Sequence, residues 1–152
     1  MISRRFDADF VNLGFSGNAK GEEAICRYLA SLDASVFVCD YDHNAPSADH
    51  LEKTHRPLYE IYRAAHPDTP IVFVSKPDFH PGTEDERRRR IILDTYEYAL
   101  AGGDRNVRFV DGAHLFDGPF ADSCTVDGCH PNDLGFFRMA EKIGDAVGEF
   151  LR

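Results

Sequence analysis

Short apolar runs of strand length alternate along the chain with longer segments whose apolar residues recur every three or four positions. Asp9–Phe15 (DFVNLGF), Val36–Cys39, Ile71–Val74 and Val107–Val110 read as strands. Between them, Gly21–Leu32, Ala48–His66 and Glu84–Ala101 carry helical spacing. A last helix over Asn132–Leu151 sets Leu134, Phe137, Ile143, Val147 and Leu151 on one stripe expected to face the core. Gly102-Gly103 ends the third helix, and Pro67 with Pro70 ends the second. Strand–helix alternation predicts an α/β chain: a parallel sheet covered on both faces by helices. No repeat, low-complexity tract or linker divides it, so residues 1–152 read as one domain.

Composition narrows the function classes. At 152 residues and 43% hydrophobic, a single domain buries roughly 70% of its unfolded surface, enough for a true core. The net charge of −9 argues against a nucleic-acid binder, which needs clustered Lys and Arg. Met1–Arg5 is basic, but no apolar stretch follows it as in a signal peptide, and no window approaches a membrane span. Cys26, Cys39, Cys124 and Cys129 are scattered, as suits free thiols in a reducing cytoplasm. Cys124 and Cys129 stand close enough to pair under oxidising conditions, yet no second Cys/His pair completes a zinc knuckle.

In open parallel sheets, ligands sit beyond the carboxyl ends of the strands. Those ends read Ser16-Gly17-Asn18, Asp40-Tyr41-Asp42-His43-Asn44, Lys76-Pro77-Asp78 and Asp111-Gly112-Ala113-His114. The most informative stretch, Val126-Asp127-Gly128-Cys129-His130-Pro131-Asn132, precedes the last helix. Asp127 and His130, three apart in a loop closed by Pro131, pair a carboxylate with an imidazole: one orients the ring, and the free ring nitrogen serves as general base. Gly17 lets a backbone N–H approach a ligand as an oxyanion donor must, and Asn44 offers an amide N–H₂ for the same purpose. The plainer readings are a tight βα turn at Gly17, an Asx turn at Asn44 and a capped turn at Asp127. Asp40, Asp42, His43, His114 and His130 also make a weak divalent-metal set without a recognised ligand spacing. Glu84–Arg90 reads as a solvated helix face of mixed charge, His50 and His55 as surface positions, and Phe136 as core-edge packing or a pocket wall.

Together, VNLGFSGNAKGE, DYDHNAP and DGCHPNDLGFFRMA resemble the SGNH/GDSL hydrolase superfamily over nearly the whole chain. Gly17 matches the family's glycine block, Asn44 its asparagine block, and Asp127 with His130 its D-x-x-H-P block. The resemblance implies a three-layer α/β/α, flavodoxin-like fold of a bacterial serine esterase or acylhydrolase. It implies no metal or organic cofactor, and a small acyl ester as substrate, a carbohydrate ester included.

The family's nucleophilic serine lies in a G-D-S-type block after a first strand, upstream of the glycine block. This sequence carries no such block: Ser3 sits in MISRRFD, without an apolar strand before it. Ser16 adjoins Gly17, but the family pattern places it in the oxyanion loop, badly set to meet His130. The resemblance therefore implies an N-terminally incomplete hydrolase domain with weak or absent activity. A binding module that keeps the pocket without the chemistry is the alternative. The family's first strand lies inside the sheet, so its loss is expected to leave unpaired edges and to favour a homo-oligomer.

Overall fold

In the computed structural model, which describes residues 1–78 and 82–151, the helices are α1 (Ile2–Phe6), α2 (Glu23–Leu29), α3 (Ala48–Ala65), α4 (Thr83–Ala101) and α5 (Asp133–Gly148). The strands are β1 (Phe37–Cys39), β2 (Ile71–Val74) and β3 (Val107–Val110), paired in parallel in the order β1-β2-β3. The register sets Ile71 beside Phe37 and Val107, and Phe73 beside Cys39 and Phe109.

Every β2 side chain is buried, because period-2 alternation sends successive residues to opposite, equally covered faces. Ile71 and Phe73 enter a cluster with Cys26, Leu51, Leu58, Tyr62 and Ile92 from α2, α3 and α4. Val72 and Val74 enter another with Leu115, Cys124, Ile143 and Val147, on the α5 side. The result is the expected α/β/α layering. No helix among the described residues is long and apolar enough to cross a membrane.

The elements follow from local chemistry. The Ser47 side chain accepts from His50 N and starts α3 (3.2 Å), which runs through Pro57 because Leu51, His55, Leu58, Tyr59 and Tyr62 bury one face. Asn132 caps α5 by accepting from Leu134 N (3.0 Å) and Gly135 N (3.2 Å). Gly112 packs so closely on β2's end that a Cβ there would lie 1.9 Å from the Lys76 carbonyl oxygen.

Several expectations are corrected. The segment 9–14 forms no strand, and Phe15–Gly17 is a short 3₁₀ turn. An extended segment becomes a strand only by pairing. The outer edge of β1 takes no partner among the described residues, while Phe10 and Val11 are 74% and 72% exposed. Phe137 does not join the core stripe: it and Phe136 are half exposed, because α5 turns Gly135, Ile143, Gly144 and Val147 inward. The short α1 has no apolar period long enough to read from sequence. It is held to α5 by Arg5, which donates to Asp145 (2.6 Å) and the Glu141 carbonyl (3.3 Å).

Two polar groups expected at the surface lie inside. His55 is 1% exposed, its Nδ1 against Thr95 Oγ1 (2.9 Å) and its Nε2 against Cys39 Sγ (3.9 Å); His50 is half-buried against the Lys20 carbonyl (2.7 Å). Arg88, expected on a solvated face, is buried. It donates to the Asp42 carbonyl (2.8 Å), Asp42 Oδ1 (3.3 Å) and the Ala45 carbonyl (3.0 Å). Asp42 Oδ2 accepts from Lys76 N (2.9 Å). Thus one carboxylate joins the ends of β1 and β2 to α4. Four successive arginines span most of a helix's circumference, so one of them had to face inward; Arg87, Arg89 and Arg90 pair with surface or half-exposed carboxylates instead.

Two predictions follow from these buried groups. Removing the Arg88 guanidinium leaves the Asp42 charge buried and unpaired, so Arg88→Ala is expected to cost about 3–5 kcal/mol of unfolding free energy in urea titration. Burial lowers the His55 pKa from 6.5 to about 3. Unfolded, this ring takes a proton near 6.5, whereas folded it stays neutral down to about 3. The unfolded state therefore binds more protons in that window, and stability is full above it and falls as pH drops through it. The stability of His55→Leu is expected to fall less steeply between pH 6.5 and 4.5, by about 1 kcal/mol per pH unit relative to the unmodified chain.

Candidate active site

Three loops carry the candidate residues, one of them following β1 directly. The loop before α5 is closed by a bridge between Thr125 and Pro131 and by Val126 N donating to the His130 carbonyl (2.9 Å). Inside it, Asp127 Oδ1 accepts from Cys129 N (3.0 Å) and His130 N (2.8 Å), and Asp127 Oδ2 accepts from His130 Nδ1 (2.7 Å). Two main-chain donors fix the carboxylate, and the carboxylate fixes the ring. With the proton on Nδ1, Nε2 is left as the basic nitrogen. The His130 main-chain N–H, its ring and then Cys129 N hold the Asp127 pKa down at about 2. The pair is open to solvent, with 78% of the His130 side chain exposed.

The second loop follows β1. Asp42, locked by Arg88, starts the 3₁₀ turn Asp42–Asn44, so the positions of His43 and Asn44 rest on a buried ion pair. Asn44 Nδ2 reaches the Gly14 carbonyl of the third loop (3.5 Å). His43 Nδ1 stands 3.8 Å from Cys129 Sγ in the loop before α5. Gly17 has φ +85°, a left-handed conformation that favours glycine, and a Cβ added there would meet nothing within 4 Å. Its main chain is open to an approaching ligand. Ser16 adopts φ 48°, ψ 59° in the same turn, and among the described residues His130 pairs with Asp127 and not with Ser16.

The metal set does not assemble. Asp42 is spent on Arg88 and Lys76 N, and His114 Nδ1 pairs with Asp117 Oδ2 (2.9 Å). No group of three or more His, Cys, Asp or Glu side chains among the described residues is placed to hold a metal ion. All four cysteines are free, with Cys124 buried and Cys129 exposed. Lys76, at the end of β2, donates to Asp78 (3.2 Å) and Asp85 (2.6 Å). Sequence reasoning missed Arg88 as the anchor of this edge; the run of four arginines on one helix showed that one of them would face inward, but not which one or that Asp42 would meet it.

The chain matches the model of the GDSL-like lipase/acylhydrolase family over residues 1–147. A protein assigned as a GDSL-like lipase from Bacteroides ovatus is similar in structure, with a TM-score of 0.85 and 30% identity over 99% of this chain and 46% of that one. A salicylyl-acyltransferase from a tetracycline biosynthetic pathway gives 0.79 and 20% identity, over 97% and 47% of the two chains. An active-site mutant of a family two carbohydrate esterase from Clostridium thermocellum gives 0.71 and 18%, over 99% and 52%. The chain thus spans about half the length of these solved structures. No curated protein matches it in sequence. With its parallel sheet between helical layers and a family match over nearly its full length, this chain belongs to the GDSL-like lipase/acylhydrolase family.

Proposed function

We propose that this chain carries the acid–base and oxyanion half of a serine ester hydrolase whose nucleophile is supplied by a segment not among these residues. The observation that carries this reading is Asp127: one carboxylate accepts two main-chain N–H groups and the His130 Nδ1–H. That arrangement fixes tautomer and ring orientation together. His130 Nε2 then takes the serine proton as the serine oxygen attacks the acyl carbonyl. The Gly17 N–H and one N–H of the Asn44 amide hold the oxyanion. His130 returns the proton to the departing alcohol, and water, activated by the same ring, releases the acid. Small acyl esters, carbohydrate esters among them, are the substrate class. The outer edge of β1, without a partner among the described residues, and the exposed Phe10 and Val11 support a further strand that brings the serine.

The decisive measurement is intact mass after incubation with a fluorophosphonate serine probe. The chain is expected to stay unlabelled while folded. Joined to a family G-D-S-type block upstream of Met1, it is expected to label once and to hydrolyse p-nitrophenyl acetate. His130→Ala is then expected to lose at least about 100-fold in kcat/KM, and Asp127→Asn, which leaves the ring in the wrong tautomer, about 10⁴-fold in kcat. A joined protein that binds esters without turnover would make the chain a binding module. Labelling of the 152-residue chain, lost in both Ser16→Ala and His130→Ala, would instead assign the nucleophile to Ser16.

The carboxylate can be checked without substrate. Asp127 is held below its ordinary 3.8, at about 2. Its support of the turn is therefore present above 3.8 and is lost as pH falls through about 2. Carboxyl carbon NMR is expected to show Asp127 titrating well below the exposed aspartates, and His130→Ala, which removes the ring but keeps both main-chain donors, to move it only part of the way back up.

A further inference from the structure

Cys129 and His43 stand on different loops, and the ester chemistry above uses neither. Their side chains meet, with Sγ 3.8 Å from Nδ1. The Cys129 thiol is exposed, whereas Cys26, Cys39 and Cys124 are buried. Burial pushes the Cys26 thiol up to about 11 and the Cys39 thiol further still, so both remain protonated and unreactive. Partial desolvation, and then the Lys76 ammonium, push His43 toward its neutral form, which leaves a ring nitrogen able to accept a proton. The main chain of Cys129 is fixed as well: its N–H donates to Asp127 Oδ1 (3.0 Å), the carboxylate that also holds His130.

We infer that Cys129 and His43 form a thiol–imidazole centre at the mouth of the site that exchanges with low-molecular-weight disulfides. The Cys129 proton passes to His43 Nδ1 and the thiolate attacks one sulfur of the disulfide. A new S–S bond forms at Cys129, the original S–S bond breaks, and the leaving thiolate takes the proton from His43. The disulfide is the only oxidant, and excess thiol reverses the step. The group added to Sγ occupies the space beside His130 and closes the mouth to an ester. That consequence rests on the proposed hydrolase reading; the exchange itself does not.

The test is incubation of the full chain with oxidised glutathione, read by intact mass and peptide mapping. One adduct is expected, located at Cys129, removed by excess reduced thiol and absent from Cys129→Ser. His43→Asn, which keeps a polar side chain but removes the base, is expected to slow adduct formation about tenfold; His43→Gln gives the same comparison if the first variant fails to fold. Equal rates with and without His43, or adducts spread over the four cysteines, would overturn the inference. The readout needs no ester. An adduct without ester hydrolysis in the serine-bearing protein counts against the hydrolase reading alone, and hydrolysis without an adduct counts against this one alone.

Discussion

The Asp42 carboxylate is 1% exposed, and the whole carboxyl edge of the sheet is organised around it. One oxygen takes the Lys76 main-chain N–H and the other the Arg88 guanidinium, which also holds the Asp42 and Ala45 carbonyls. A buried charge is tolerated only when paired and hydrogen-bonded. The requirement runs both ways: the loop after β1 cannot move without breaking contact with β2 and α4 together. His43 and Asn44, the next residues in the same turn, inherit that rigidity. The edge that carries the candidate residues is therefore built from the inside outward, with a desolvated ion pair behind exposed polar groups.

The loop before α5 is rigid for a different reason. Asp127 and His130 are exposed, so their mutual attraction is screened and contributes little stability by itself. What holds them is local geometry: the Thr125–Pro131 bridge, the two main-chain donors into Asp127 Oδ1 and the Asn132 cap that ties the loop to α5. Asn132 also donates to the Ser123 carbonyl (2.7 Å), which links the loop to the short turn before it. One candidate loop is thus fixed by burial and the other by hydrogen-bond closure. His43 meets Cys129 across these two loops, and Asn44 reaches the Gly14 carbonyl of the third.

Sequence made legible whatever depended on local pattern. Ile71–Val74 and Val107–Val110 appear with the boundaries their apolar runs gave, and the Asp127–His130 contact follows from a spacing of three in a closed loop. Pairings between distant segments were not legible. Arg88 meets Asp42 across 46 positions, and in sequence it is indistinguishable from Arg87, Arg89 and Arg90. His55 looked like a surface residue because its helix is amphipathic, yet it falls on the buried face, where Thr95 satisfies it. The DFVNLGF run has every property of a strand except a partner, and pairing is a property of the sheet that no single segment encodes.

That missing pairing bears directly on the chemistry. Oxyanion stabilisation is strong where water is excluded and donors are preorganised, and weak where both are solvated. Here the Gly17 turn borders an unpaired segment with Phe10 and Val11 exposed, and Asn44 reaches Gly14 only at 3.5 Å. A strand paired to β1 would cover the open edge at Val38, 36% exposed, and exclude water from the loop that follows it. In the proposed hydrolase the segment that brings the nucleophile would thereby also complete the oxyanion hole. The two halves of the catalytic machinery would then form in a single packing event, and neither would be active alone.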